Sequence, residues 1–240
     1  MTAGLLLIHA FPMDARMWAP QVDELGVDTV APDLPGFGRA AEPPPVLSMG
    51  VAADACLRAA DAAGLERFAV CGLSMGGYVA FELWRMARQR VSALILANTR
   101  SEADTPEAAA GRRALAERLR GEGNGFLVES PPPLLSADAP PALWEQVRET
   151  IADQPAEAIA AAALGMAERR DSSPDLSAID VPTLVVTSAG DTLIPASVTA
   201  AIASHVPGAE LVTIPDAGHL SNLEAPAAFN EAVGGFVAGV

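Results

Sequence analysis

The stretch Ala69–Leu83, AVCGLSMGGYVAFEL, sets a single hydroxyl between glycines where one apolar run ends and another begins. Ala69–Cys71 are apolar at every position, which suits a strand buried on both faces, and beyond Gly76 the apolar residues recur at helical spacing. Between the two lies Gly72-Leu73-Ser74-Met75-Gly76, a G-x-S-x-G sequence in a strand–turn–helix context. So sharp a turn strains the serine backbone and would drive side chains two positions to either side into collision, which glycine at 72 and 76 avoids. The turn lifts the hydroxyl above the carboxyl end of the sheet, and the N-terminus of the following helix offers free N–H groups that can hold an oxyanion. Ser74 therefore reads as a nucleophile; the competing reading is a glycine-eased turn with an incidental serine.

Outward from this turn, short β-rich runs alternate with helical patterns. GLLLIHA, VDTVAP, RFAVCG, VSALILANT, TLVVTS and AELVTIP are the runs; helical patterns lie near Val51–Ala63, Gly76–Arg88 and Ala225–Val237. The alternation predicts an α/β fold with a mostly parallel sheet flanked by helices. It breaks once, over residues 101–177, where three helical patterns follow one another without a strand. The first opens on Thr105 as N-cap with Pro106 at the first helical position. The expected organisation is a core in two pieces, 1–100 and 178–240, interrupted by a helical cap at 101–177.

A serine hydroxyl needs a base to take its proton and a carboxylate to hold that base in the right tautomer. Of the three histidines, His219 lies just beyond the last strand pattern, in IPDAGHLSNLEAP, at the sheet edge where the serine emerges. His205 sits in a helical stretch and reads as a surface residue; His9 ends the first strand and reads as structural. Asp191, in TLVVTSAGDTLIP, follows a strand by a short loop and precedes the histidine, and is preferred as the acid. Asp216 reads as a turn-shaping residue and Glu224 as a cap for the last helix. The oxyanion donors would be the backbone N–H groups of Met75 and Phe11, unless Phe11 is only a pocket wall.

With 50% hydrophobic and 19% charged residues, the 240-residue chain has the composition of a folded soluble protein. A net charge of −15 argues against nucleic acid or an anionic membrane as partner. All basic residues are Arg, from genomic base composition or structural preference. Cys56 and Cys71 sit in apolar patterns and read as buried hydrophobes, pointing to a reducing, cytoplasmic setting. LLLIHAF lacks a basic flank and a cleavage pattern and is too short to cross a membrane. No metal or cofactor is expected.

HAFPMDARMW, PDLPGFGRA, GLSMGG, GDTLIP and AGHLSNLEAP together resemble the α/β-hydrolase superfamily, over nearly the whole chain. Within it the chain is similar to small capped carboxylesterases near the 3-oxoadipate enol-lactonases and cofactor-free haloperoxidase-like esterases; AAAALGMAERRDSS also looks like that branch. The resemblance implies Ser74 as nucleophile, Asp191 as acid, His219 as base and Phe11 and Met75 as amide donors. It also implies about six strands, since the first two strands of most relatives have no counterpart before Leu5, and VDTVAP becomes an edge that a partner, such as a second copy in a homo-oligomer, a loop or a crystal neighbour covers, unless the sequence is a truncation. Most relatives have glycine where this chain has Ala10, which would strain the oxyanion loop if that turn needs a positive φ. The expected reaction is hydrolysis of short neutral carboxylic esters through an acyl-enzyme. Lactonase, perhydrolase and C–C hydrolase activities on the same site stand as alternatives, as does a non-catalytic binding module. Leu143, Trp144, Leu164 and Met166 suggest an apolar pocket, whereas Arg100, Arg112 and Arg113 would suit an anionic substrate.

Overall fold

Every strand-like run of the sequence pairs into one sheet. The computed structural model describes residues 4–40 and 42–240; residues 1–3 and 41, part of the first expected core segment, lie outside it. The strands are β1 (Gly4–Ile8), β2 (Thr29–Val30), β3 (Phe68–Leu73), β4 (Val91–Ala97), β5 (Thr183–Ser188) and β6 (Glu210–Ile214). All neighbours run parallel in the order β2-β1-β3-β4-β5-β6. VDTVAP is an edge as expected, though only Thr29 and Val30 of it form the strand. β1, β3 and β5 are buried along their whole length, which their composition requires. β6 closes the other edge and is mostly exposed, so its apolar run is not an enclosed one.

Parallel strands must be joined by crossovers, and helices supply them. They are α1 (Ala19–Glu24) and α2 (Met49–Ala62) before β3, α3 (Met75–Met86) between β3 and β4, and α4 (Pro106–Glu122), α5 (Gly125–Glu129), α6 (Pro141–Ala152) and α7 (Ala156–Ala167) between β4 and β5. α8 (Ala196–His205) precedes β6, and α9 (Ser221–Glu224) and α10 (Pro226–Val237) follow it. Ser48 caps α2 by accepting the Val51 N–H, and Thr105 caps α4 by accepting that of Ala108, with Pro106 opening the helix. Trp18, Trp84, Phe37, Phe68, Phe81 and Phe229 are fully buried, each contributing about 2–3 kcal/mol by leaving water.

The excursion between β4 and β5 carries four α-helices, not three. The additional α5 is five residues long, too short to show a periodic apolar stripe in sequence. α7 packs its alanines on α4, and its Ala161 carbonyl accepts the Leu47 N–H at 3.0 Å, tying the excursion to the core.

A charged cluster forms the second tie. Asp104, its side chain 5% exposed, meets Arg112 Nε at 2.5 Å and Arg169 at 2.6 Å. Arg169 also donates to the carbonyls of Met166 and Glu102, and its guanidinium lies 4.2 Å over the Tyr78 ring on α3. Arg112, one of the three arginines considered for a substrate carboxylate, is thus paired with Asp104. Burial alone would raise the Asp104 carboxyl, but Arg112 and Arg169 outweigh it and hold the group below the usual carboxylate range. A depressed carboxylate stabilises in full above its unfolded value near 3.8 and loses that contribution as pH falls through its lower folded value. Asp104→Asn leaves two guanidinium groups without their anion, the nearly buried Arg169 above all, and should cost about 3 kcal/mol at pH 7. Urea unfolding should find this deficit unchanged from about pH 8 to about pH 5, where the carboxylate stays ionised.

Candidate active site

The strand order reverses direction at one place. β1 leads outward to β2, whereas β3 leads through α3 to β4 on the other side. In open parallel sheets the crevice at such a reversal, outside the carboxyl ends of the strands, is where ligands bind. The turn after β1 carries Phe11, and the turn after β3 carries Ser74.

Ser74 sits at φ 57°, ψ −113°, a conformation that L-residues seldom hold. Glycine at 72 and 76 permits it, for different reasons at the two positions. A Cβ on Gly72 would overlap the Gly76 carbonyl across the turn, while one on Gly76 would overlap the Ile8 carbonyl of β1. The second glycine thus answers to the neighbouring strand, which the local sequence does not reveal. The Ser74 carbonyl accepts the Thr99 hydroxyl at 2.7 Å, and its N–H donates to Ala97. Met75 is the first residue of α3, so its N–H has no intrahelical acceptor. The Phe11 N–H makes no hydrogen bond among the described residues. Ala10 is fully buried and is not among the residues with positive φ, so the alanine fits its turn without strain.

Asp191 and His219 meet directly, with His219 Nδ1 2.8 Å from Asp191 Oδ2. His219 is fully buried, and its Nε2 has no partner among the described residues. Asp191 follows β5, and its Oδ1 accepts the N–H groups of Leu193 and Ile194, both at 2.9 Å. Burial alone would raise this carboxyl; the His219 hydrogen bond and charge, the Ile194 N–H and the Asn98 amide outweigh it and keep the group below the usual carboxylate range. In the neutral ring, with Nδ1–H committed to the carboxylate, Nε2 is the acceptor nitrogen.

Sequence reasoning missed the polar frame behind this pair. Asn98, at the exit of β4, donates to Asp191 Oδ2 at 2.9 Å and to Ser188 Oγ at 2.7 Å, and accepts the Ser221 hydroxyl at 2.7 Å. Ser188 donates in turn to the Gly218 carbonyl at 2.5 Å, next to His219. The one available signal was a polar Asn-Thr pair closing the apolar run VSALILANT. Glu224 also departs from expectation. Instead of capping α10, its carboxylate accepts the N–H of Gly218 at 2.8 Å and the N–H and hydroxyl of Ser136. Leu220 N–H donates to the Leu134 carbonyl at 2.8 Å, so the connector between α5 and α6 is bound to the histidine loop. Asp216 and His205 are exposed, and neither joins the site. A cleft of about 750 Å³ lies elsewhere, lined by Arg16, Thr29, Asp33, Arg39 and Asp153 near the β2 edge, and holds none of the three candidate residues.

A sequence model of the alpha/beta hydrolase family matches residues 5–232. The chain belongs to this family. An esterase structure from Thermogutta terrifontis, solved with malate bound, is 40% identical and superposes at a TM-score of 0.95, covering 99% of this chain and 90% of its own. The enol-lactonase structure from Burkholderia xenovorans is 27% identical at a TM-score of 0.91, covering 99% and 92%. Among curated relatives, 3-oxoadipate enol-lactonase 1 of Acinetobacter baylyi is 28% identical over 98% of this chain and 88% of its own length. A putative carbamate hydrolase of Variovorax paradoxus is 29% identical over 99% and 92%. These relatives agree on a hydrolase, and no described helix is long and apolar enough to cross a membrane.

In this alpha/beta hydrolase His9 is a structural residue, as its position suggested. Its Nδ1 donates to the Ala10 carbonyl at 3.0 Å, and its Nε2 accepts the Leu34 N–H at 3.1 Å, which requires a neutral ring. Burial pushes the imidazole below its ordinary 6.5, with the Ala10 carbonyl and the Asp33 and Asp14 charges opposing only in part. The stability this gives is complete above the unfolded value and is lost as pH falls from there through the folded one. His9→Gln keeps an acceptor for Leu34 without the ionisation. Its urea midpoint should therefore fall less between pH 7 and pH 5 than that of the parent; equal declines would assign the acid sensitivity to other groups.

Proposed function

We propose that the chain is a serine carboxylesterase in which Ser74 attacks, His219 moves the proton and Asp191 orients the histidine. The observation that carries this reading is the strained Ser74 turn together with an Asp191–His219 pair whose Nε2 is unpartnered. In the first half-reaction Ser74 Oγ adds to the ester carbonyl carbon as Nε2 accepts its proton. The Met75 and Phe11 N–H groups hold the oxyanion, and collapse expels the alcohol, which takes the proton back from the imidazolium. Water then adds to the acyl-serine with the same base, and the carboxylic acid leaves. Asp191 stays ionised throughout, which its depressed pKa supports. Residues 101–177 act as a cap, a role supported by the bonds of Leu134 and Ser136 to the histidine loop.

Replacing Ser74 by Ala should abolish both fluorophosphonate labelling and ester turnover. The melting temperature should stay within about 2–4 °C, because the turn rests on its glycines and not on the hydroxyl. Turnover surviving this change would overturn the mechanism, whereas a parent chain that shows neither labelling nor turnover would revive the binding-module reading.

For substrate, the favoured class is a neutral ester with roughly two to six acyl carbons, the size that an apolar pocket of modest volume would take. Leu143, Trp144 and Leu164 are partly buried against the core, and Met166 is buried, so this apolar surface of the cap is engaged in packing. Arg112 is engaged by Asp104, and a net charge of −15 slows the approach of an anion. The second reading, an enol-lactonase, is favoured by the Acinetobacter and Burkholderia relatives. Measured kcat/KM should be higher for a short neutral aryl ester than for a carboxylate-bearing enol-lactone at the same pH and salt, with an aryl carbamate as a third arm. A lactone value tenfold higher, about 1.4 kcal/mol of transition-state binding, would transfer the assignment to the lactonase.

A further inference from the structure

Two non-glycine residues hold a positive φ among the described residues, and they lie at the exits of adjacent strands: Ser74 after β3 and Asn98, at φ 44°, after β4. The first is explained by the proposed reaction; the second is not. Backbone strain of this kind persists where surrounding structure over-determines it, and each such residue costs about 1–3 kcal/mol. Asn98 is fully buried, and its amide is completely used. One amide hydrogen goes to Asp191 Oδ2 and the other to Ser188 Oγ, while Oδ1 accepts from Ser221. The carboxylate accepts only, so the orientation of the amide is fixed: the NH₂ group must face Asp191.

We infer that Asn98 is a positioning residue for the reaction, acting through Asp191; the inference rests on the Ser74–His219–Asp191 reading above. Asp191 receives four donors: two backbone N–H groups on Oδ1, and His219 and Asn98 on Oδ2. Removing the backbone pair would release the loop, but removing Asn98 leaves the loop in place and frees Oδ2 to turn away from the line to His219 Nδ1. The imidazole would then lose the fixed orientation that the proposed proton transfer between Ser74 and Nε2 requires. The same two-residue exit serves the other side of the site, because the Thr99 hydroxyl, next in sequence, holds the Ser74 carbonyl. Asn98-Thr99 thus links the carboxylate of one half of the core to the nucleophile turn of the other. Ser188 extends the frame to the base, since the hydroxyl that Asn98 engages donates to the carbonyl preceding His219.

The discriminating variant is Asn98→Gly, which deletes the amide and at the same time relieves the positive φ. It should lower kcat on a short aryl ester by about 10- to 100-fold with KM within about threefold, the pattern of an interaction that matters in the transition state. The decisive measurement is a double-mutant cycle with Asp191→Asn. If Asn98 works through Asp191, adding Asn98→Gly to Asp191→Asn should cost no more than about threefold further. The same factor in both backgrounds, or an unchanged kcat in the single variant, overturns the inference. Should Asn98→Gly fail to fold, Ser221→Ala, which removes the donor to Oδ1, enters the same cycle and should lower kcat several-fold (about 3- to 10-fold) in the parent only. An unchanged kcat there, or an equal loss in both backgrounds, overturns it equally. Fluorophosphonate labelling separates the two levels: labelling that survives Ser74→Ala sinks the underlying mechanism, whereas loss of labelling with an additive or silent Asn98 sinks this inference alone.

Discussion

The passage of α3 across β1 is the contact on which the site depends. The first turn of α3 runs so close to the Ile8 carbonyl that Gly76 has no room for a side chain, and the turn leading into it bends so sharply that Gly72 has none either. That approach strains Ser74 and lifts it above the sheet, and it brings the start of α3, with the free N–H of Met75, beside the turn that follows β1. It is possible only because β1 and β3 are parallel neighbours on which the chain reverses its order. The reversal opens the crevice, and the close approach fills one of its walls with backbone donors.

The energetic balance around the site follows one rule, that buried polar atoms are kept only when they are partnered. Asp191 takes four donors, and the Asn98 amide is bonded through both of its hydrogens and its oxygen. The exception in this frame is His219 Nε2, which has no partner among the described residues. Away from the site the Asp104 cluster pairs its charges, with Asp104 shared by Arg112 of α4 and Arg169 beyond α7, and the Arg169 guanidinium, whose Nε has no partner among the described residues, is laid on Tyr78 of the helix that begins after Ser74. The excursion is therefore bonded to the core at both ends of the site: through Asp104 and Arg169 on one side, and through Leu134, Ser136 and Glu224 on the other.

What the chain declares in its linear order is whatever depends on neighbours in sequence. The elbow, the strands, the cap at Thr105 and the placing of Asp191 and His219 after their strands are local patterns of size, polarity and period, and each was legible before any fold was known. What only the tertiary structure decided are matters of distant partners. Asn98 and Asp191 are 93 positions apart and Asn98 and Ser221 are 123 apart, so no window of sequence contains the frame that holds the acid. Glu224 looks like a helix cap until the chain brings Ser136 to it from 88 positions away. Arg112 looks free until Asp104 and Arg169 close on it, and α5 is too short to carry a period at all. The physical reason is the same in each case: hydrophobic period is a property of a segment, whereas the satisfaction of a buried hydrogen bond or charge is a property of the place where segments meet.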